Sequence, residues 1–157
     1  MVVLDASVGV GIVRDDSQAL RFKELILENE MIVAPTLYQA EVTQVFWKYV
    51  QASLMGKREA KERIDSALSL VDEYVEMADM TAEVYAEACR QGHSAYDLFY
   101  LVLARRRDAA LLTLDRRLLN IAVKCGISTV EDIRTEEYGT VTTRVTLEDM
   151  RSAAKGL

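Results

Sequence analysis

The chain alternates short, mostly apolar runs with longer segments whose apolar residues recur at helical spacing, and few folds accept that pattern. Val2-Val3-Leu4 and residues 31–34, 74–77, 110–114 and 127–130 read as short strands. Between them, residues 15–29, 37–54, 57–72, 81–91, 95–107 and 116–124 read as helices. In 57–72, Ile64, Leu68 and Val71 share one face, while Lys57, Glu59, Lys61 and Glu62 point outward. Short apolar strands separated by helices form a parallel sheet covered on both sides. The predicted fold is an α/β three-layer sandwich with a roughly five-stranded parallel sheet flanked by helices. A chain of 157 residues suits one domain. That domain is assigned to residues 1–130, with residues 131–157 as a C-terminal extension packing on it. Within the extension, residues 140–146 are rich in Thr and Val and read as a strand. Thr146-Leu-Glu-Asp149 then resembles a capping box before a short helix.

Composition excludes several functions. Half the residues are apolar and 28% are charged, enough for a core and too apolar for a disordered chain. Lys and Arg number 19 against 25 Asp and Glu, so 19 − 25 = −6. That balance argues against coating nucleic acid or anionic lipid by bulk charge, and leaves room for acids gathered to hold cations. Cys89 and Cys125 cannot build a disulfide framework, and one histidine rules out a His-rich zinc site. The opening MVVLDASVG lacks the basic segment of a secretory leader, and no apolar run reaches membrane-spanning length. A cytoplasmic setting without membrane attachment is expected.

In open parallel sheets, ligands bind beyond the carboxyl ends of the strands. Asp5 directly follows the first strand, and Asp115 the run 110–114. Glu41 lies near the start of the helix after the second strand, and Asp97 near the start of the helix before the fourth. Asp5 and Asp115, taken singly, are explained as helix caps, and Ser94-x-x-Asp97 as a capping box. Glu41 is harder to explain so. Thr36, with Gln39, is the expected cap there, which leaves Glu41 among Leu37, Tyr38, Val42 and Val45. A carboxylate in such surroundings must be paired, hydrogen-bonded or metal-bound. Jointly the four favour one site. Clustered carboxylates repel unless a cation joins them, and hard oxygen ligands select Mg²⁺ or Mn²⁺, as one or two ions. Two such ions can activate water and stabilise the leaving oxygen in phosphodiester cleavage. Residues 104–117 carry five arginines against two aspartates. Arg116 and Arg117, flanking Asp115, are candidate substrate-binding groups, and Arg105–Arg107 are as well explained by a helix C-terminus.

Four segments, in order, resemble the motifs of PIN-domain ribonucleases. They are Val2-Val3-Leu4-Asp5-Ala6-Ser7, then Ala34-Pro35-Thr36-Leu37 leading into Ala40-Glu41-Val42. Ser94-Ala95-Tyr96-Asp97 with Tyr100-Leu101 and Leu103-Ala104 follows, and then Leu111-Leu112-Thr113-Leu114-Asp115-Arg116-Arg117-Leu118. The single-domain form is most similar to the VapC-type toxins of toxin–antitoxin pairs. The resemblance implies a metal-dependent endoribonuclease acting on RNA, with Asp5, Glu41, Asp97 and Asp115 as catalytic and metal-binding acids. It implies supporting hydroxyls at Ser7 and Thr113, a homodimer, and a cognate antitoxin laid across the groove. Leu98 and Phe99 stand where the family often has a small residue, and Arg117 where some relatives carry a further acid. An RNA-processing PIN nuclease outside a toxin pair, or a non-catalytic module retaining the acidic pocket, is the alternative. A phosphatase or receiver using Asp5 as nucleophile is disfavoured, because Asp5-Ala6-Ser7 lacks the second aspartate a phosphatase needs.

The remaining chemistry-bearing residues have ordinary explanations. His93, at a helix start, is expected to be structural, with assistance to substrate or metal as the alternative. Phe46, Trp47 and Tyr49 are expected in core or interface rather than stacked on bases. Neither a phosphate-binding glycine loop nor a nucleophilic triad can be assembled.

Overall fold

A computed structural model describes residues 1–25 and 30–129. It contains four parallel strands: β1 (Val2–Leu4), β2 (Ile32–Pro35), β3 (Glu73–Val75) and β4 (Ala110–Leu112), in the order β3-β2-β1-β4. Val3 is paired with Val33 on one side and Leu111 on the other, so β1 is central and β1 is buried throughout. The expected fifth strand is corrected. Among the described residues, 127–129 contribute one parallel bridge, Leu111 to Thr129, with the Leu111 N–H bonded to Ser128 O at 2.8 Å. Cys125 and Gly126 turn the chain out of the last helix, Gly126 at φ 68°, and leave too few paired residues for a ladder. The strand and helix expected within 131–157 lie outside the described residues.

Among the described residues, seven α-helices flank the sheet. They are α1 (Ala6–Val13), α2 (Ser17–Leu25), α3 (Leu37–Gln51), α4 (Lys57–Leu68), α5 (Thr81–Gln91), α6 (Ala95–Arg107) and α7 (Arg116–Lys124). The helix read over 15–29 is observed as α2, and residues 26–29 lie outside the described residues. The α1–α4 helices pack among themselves, and α6 lies against β1, β2 and β4 with α5 and α7 beside it. That central position explains why α6 buries six of the seven residues from Leu98 to Ala104 rather than a single stripe. No described helix is long and apolar enough to cross a membrane.

The helix α1 has no counterpart in the periodicity. Its sequence, ASVGVGIV, is apolar all round and rich in β-branched residues and glycine, which are poor helix formers. Tertiary packing holds it instead. A Cβ at Gly9 would overlap the Tyr38 hydroxyl, and one at Gly11 would overlap Ala19, so both glycines allow close approach of neighbouring helices. Tyr38 is buried and donates its O–H to Ala67 O at 2.9 Å, tying α3 to α4.

The helices α5 and α6 are joined by a buried carboxylate. Glu87 is fully buried, accepting hydrogen bonds from Gln91 at 2.8 Å and Arg105 at 2.9 Å, with Arg90 at 3.4 Å. These partners, the Gln91 hydrogen bond first, hold its carboxyl below the usual range despite burial. Arg106 and Arg107 bind Glu83 and Glu73. The arginines that end α6 are therefore engaged with acids of the same domain.

Candidate metal centre

The sheet order places the site. From β1 the chain goes first to one side, through β2 to β3, and returns to the other side as β4. Ligands collect at such a switch point, beyond the carboxyl ends of the strands. Asp5 leaves β1 there, and Asp115 follows β4. A cleft of about 620 Å³ opens at this place, and Asp5, Glu41, Asp97 and Asp115 all line it.

The helix-cap explanation holds for two of the acids and fails for one. Asp5 caps α1, accepting from the Ser7 N–H at 3.3 Å. Asp115 caps α7, accepting from the N–H groups of Arg117 at 2.7 Å and Leu118 at 3.0 Å. The expected box at Ser94-x-x-Asp97 does not form: Ser94 makes no side-chain cap, and Asp97 turns toward His93 instead. Nor does Thr36 cap α3 through its side chain, because its backbone is already helical, at φ −56° and ψ −21°.

Two hydroxyls join Asp5 to the loop that carries Asp115. Ser7 Oγ donates to Asp5 Oδ2 at 2.7 Å and accepts from the Leu114 N–H at 3.0 Å. Thr113 Oγ1 donates to the same Oδ2 at 2.5 Å and accepts from the Asp115 N–H at 3.0 Å. Each hydroxyl thus uses its donor on the buried acid and its acceptor on the neighbouring loop. The Tyr100 O–H, buried in α6, donates to Glu41 Oε2.

Burial is the main cause that raises Asp5, Glu41 and Asp97 above the usual carboxylate range. The Thr113 and Ser7 bonds oppose this at Asp5, the Tyr100 bond at Glu41, and His93 at Asp97. The acids also raise one another: Asp97 acts on Asp5, Asp5 and Asp97 on Glu41, and Asp115 on Asp97. Burial and the charge of Glu41 push the Tyr100 hydroxyl upward, so it stays a donor. Half-buried carboxylates that resist ionising together are what a divalent cation would relieve. One ligand atom each from His93, Asp97 and Asp115 lie within 4.8 Å of one another, a spacing that fits a metal ion.

Residues 2–124 match the PIN domain. The chain belongs to the PIN-domain family. It is 25% identical to ribonuclease VapC3 of Pyrobaculum aerophilum over 122 residues, which cover 74% of this chain and 91% of that protein. The crystal structure of PAE2754 from Pyrobaculum aerophilum has the same fold, with a TM-score of 0.65 at 23% identity, covering 85% of this chain and 86% of that one.

Arg116 and Arg117 begin α7, are exposed, and do not line the cleft. Lys48 does line it, and the sequence reading passed over it. Its signal is a spacing: Leu37, Glu41, Gln44, Val45 and Lys48 recur along one face of α3, and all of them border the cleft. Tyr100 was legible only as part of a motif, since its bond to Glu41 spans 59 positions.

Proposed function

We propose that this PIN-domain chain is a divalent-metal-dependent endoribonuclease, the toxin of a toxin–antitoxin pair. The observation that carries the reading is the convergence of four carboxylates, from four separate segments, on one cleft beyond the strand ends. Asp5, Asp97 and Asp115 would be the principal ligands of Mg²⁺ or Mn²⁺, with Glu41 completing the set or holding a second ion. The bound cation supplies a Lewis acid and lowers the pKa of water beside the scissile phosphodiester.

The chain's own residues do the rest. Ser7 and Thr113 fix the orientation of Asp5 and, through Leu114 and Asp115, of the β4 loop. Tyr100 holds Glu41 through Oε2 and so fixes the orientation of that carboxylate. Lys48 would bind a substrate phosphate from the α3 wall of the cleft, and Arg116 and Arg117 the backbone farther along. The VapC3 likeness supports RNA as the substrate class and, with the motif resemblance, an antitoxin partner. A homodimer and a cytoplasmic location belong to the same reading, as does packing of residues 131–157 on the domain.

The test is cleavage of RNA by the full chain with Mn²⁺, with EDTA, and by Asp97→Asn. Cleavage that needs the metal and is lost in the variant is expected. Cleavage unaffected by chelation, or retained in full by Asp97→Asn, would defeat the proposal.

A further inference from the structure

The carboxylates do not exhaust the donors beside Asp97 and Asp115. His93 follows α5, which ends at Gly92 with φ 59°. The N–H groups of Gly92 and His93 both bond Ala88 O, at 2.9 and 3.4 Å, and this turn tucks the imidazole inward. Its side chain is only 6% exposed. Nε2 lies 3.0 Å from Asp97 Oδ2, yet it is buried without an aligned hydrogen-bond partner. A buried polar nitrogen left so is costly unless something else fills its direction. Two oxygens or nitrogens held cis on an octahedral ion, at about 2.1 Å each, stand about 3.0 Å apart. The His93–Asp97 separation matches such an edge as well as an ion pair, and a ligand oxygen of Asp115 lies within 4.8 Å of both.

We propose that His93 is a nitrogen ligand of the metal centre, so that Asp97 and Asp115 share their cation with an imidazole. This rests on the metal-centre reading and adds to it a donor outside the four acids. Its chemical consequence is selectivity. Imidazole suits transition metals such as iron and zinc, whereas carboxylate and water suit Mg²⁺, so His93 tilts the site away from Mg²⁺, and Mn²⁺ serves as the paramagnetic probe.

The sequence makes the test clean, because the chain has one histidine. Any imidazole nitrogen on bound Mn²⁺ must then come from His93, provided no purification tag remains. The experiment is pulsed electron paramagnetic resonance on the full chain loaded with Mn²⁺, reading nitrogen hyperfine modulation, with ¹⁵N-histidine labelling as the isotope control. Expected is a nitrogen coupling that changes with the isotope and vanishes in His93→Gln. The same variant should lose about 10-fold or more in Mn²⁺ affinity, and less in Mg²⁺ affinity. Bound Mn²⁺ without nitrogen coupling in the wild type overturns the role of His93 and leaves the carboxylate centre standing. Failure to bind Mn²⁺ at all overturns both. The wild-type spectrum decides the matter even if the variant does not fold.

Discussion

Asp97→Asn separates the charge of the site from its shape. Asp97 and Asp115 bring carboxylate oxygens within 4.8 Å of each other. Two unit charges at that distance repel by about 3 kcal/mol at an effective dielectric of about 20, and by about 1 kcal/mol in bulk water. Asp115 is exposed, so the smaller figure applies. Asparagine keeps the size of the side chain and one oxygen for His93; it relieves the burial of a charge and the repulsion from Asp115, and forfeits the attraction of His93. Without metal, the variant should therefore be more stable than the wild type by about 1 kcal/mol, a rise of about 2–4 °C in Tm for a chain of this size. Divalent metal should reverse the order. At about 100 times its Kd, Mn²⁺ stabilises the folded wild type by about 2.7 kcal/mol, and a variant that has lost a ligand gains far less. Thermal melting of both proteins, in EDTA and in a Mn²⁺ series, measures the crossing. A variant that melts below the wild type in EDTA, with both proteins indifferent to Mn²⁺, would show Asp97 to be a structural partner and refute the reasoning.

Thr113→Val removes the donor to Asp5 and the acceptor of the Asp115 N–H together. It should cost about 1–3 kcal/mol of stability and about 10-fold in Mn²⁺ affinity, read by denaturation and calorimetric titration; an unchanged affinity would separate Thr113 from the site. Lys48→Ala should weaken binding of single-stranded RNA and lower the salt slope of log K by about 0.7, with cleavage of bound RNA little changed. The pH dependence has two windows. Asp5, Glu41 and Asp97 bind protons more tightly folded than unfolded, so stability of the metal-free protein should fall as pH rises above their ordinary values of 3.8 and 4.5. Glu87 is shifted downward, so its stabilisation is complete above its ordinary 4.5 and is lost only as pH falls below it. Melting temperature in EDTA should slope downward as pH rises from about 4.5, and the slope should flatten with Mn²⁺; a flat curve in EDTA would argue that the acids carry no mutual strain.

The elements that the sequence revealed were those whose surroundings repeat. The α5, α6 and α7 boundaries agree with residues 81–91, 95–107 and 116–124, and the four observed strands fall where apolar runs were read. The strand ends were overextended because Thr113 and Leu114 look like strand residues, while their groups are spent on Ser7, Asp5 and Asp115. The helix α1 was illegible because packing against α2, α3 and α4, rather than periodicity, makes it a helix. The acids were legible only together: Asp5 and Asp115 alone read as helix caps, but Glu41 lies among apolar residues. Two of their partners were not. Tyr100 reads as core until it meets Glu41, and His93 as a helix flank until Gly92 turns its ring inward. The engaged state of Arg105–Arg107 depends on α5 and β3, far away along the chain.

The central claim is that these carboxylates form a cation site. Anomalous diffraction from crystals soaked in Mn²⁺ tests it most directly. The expected result is a peak in the cleft, within coordination distance of Asp97 and Asp115, that disappears in Asp97→Asn. A cleft without anomalous density at saturating Mn²⁺, or manganese bound only on another face of the protein, would contradict the account.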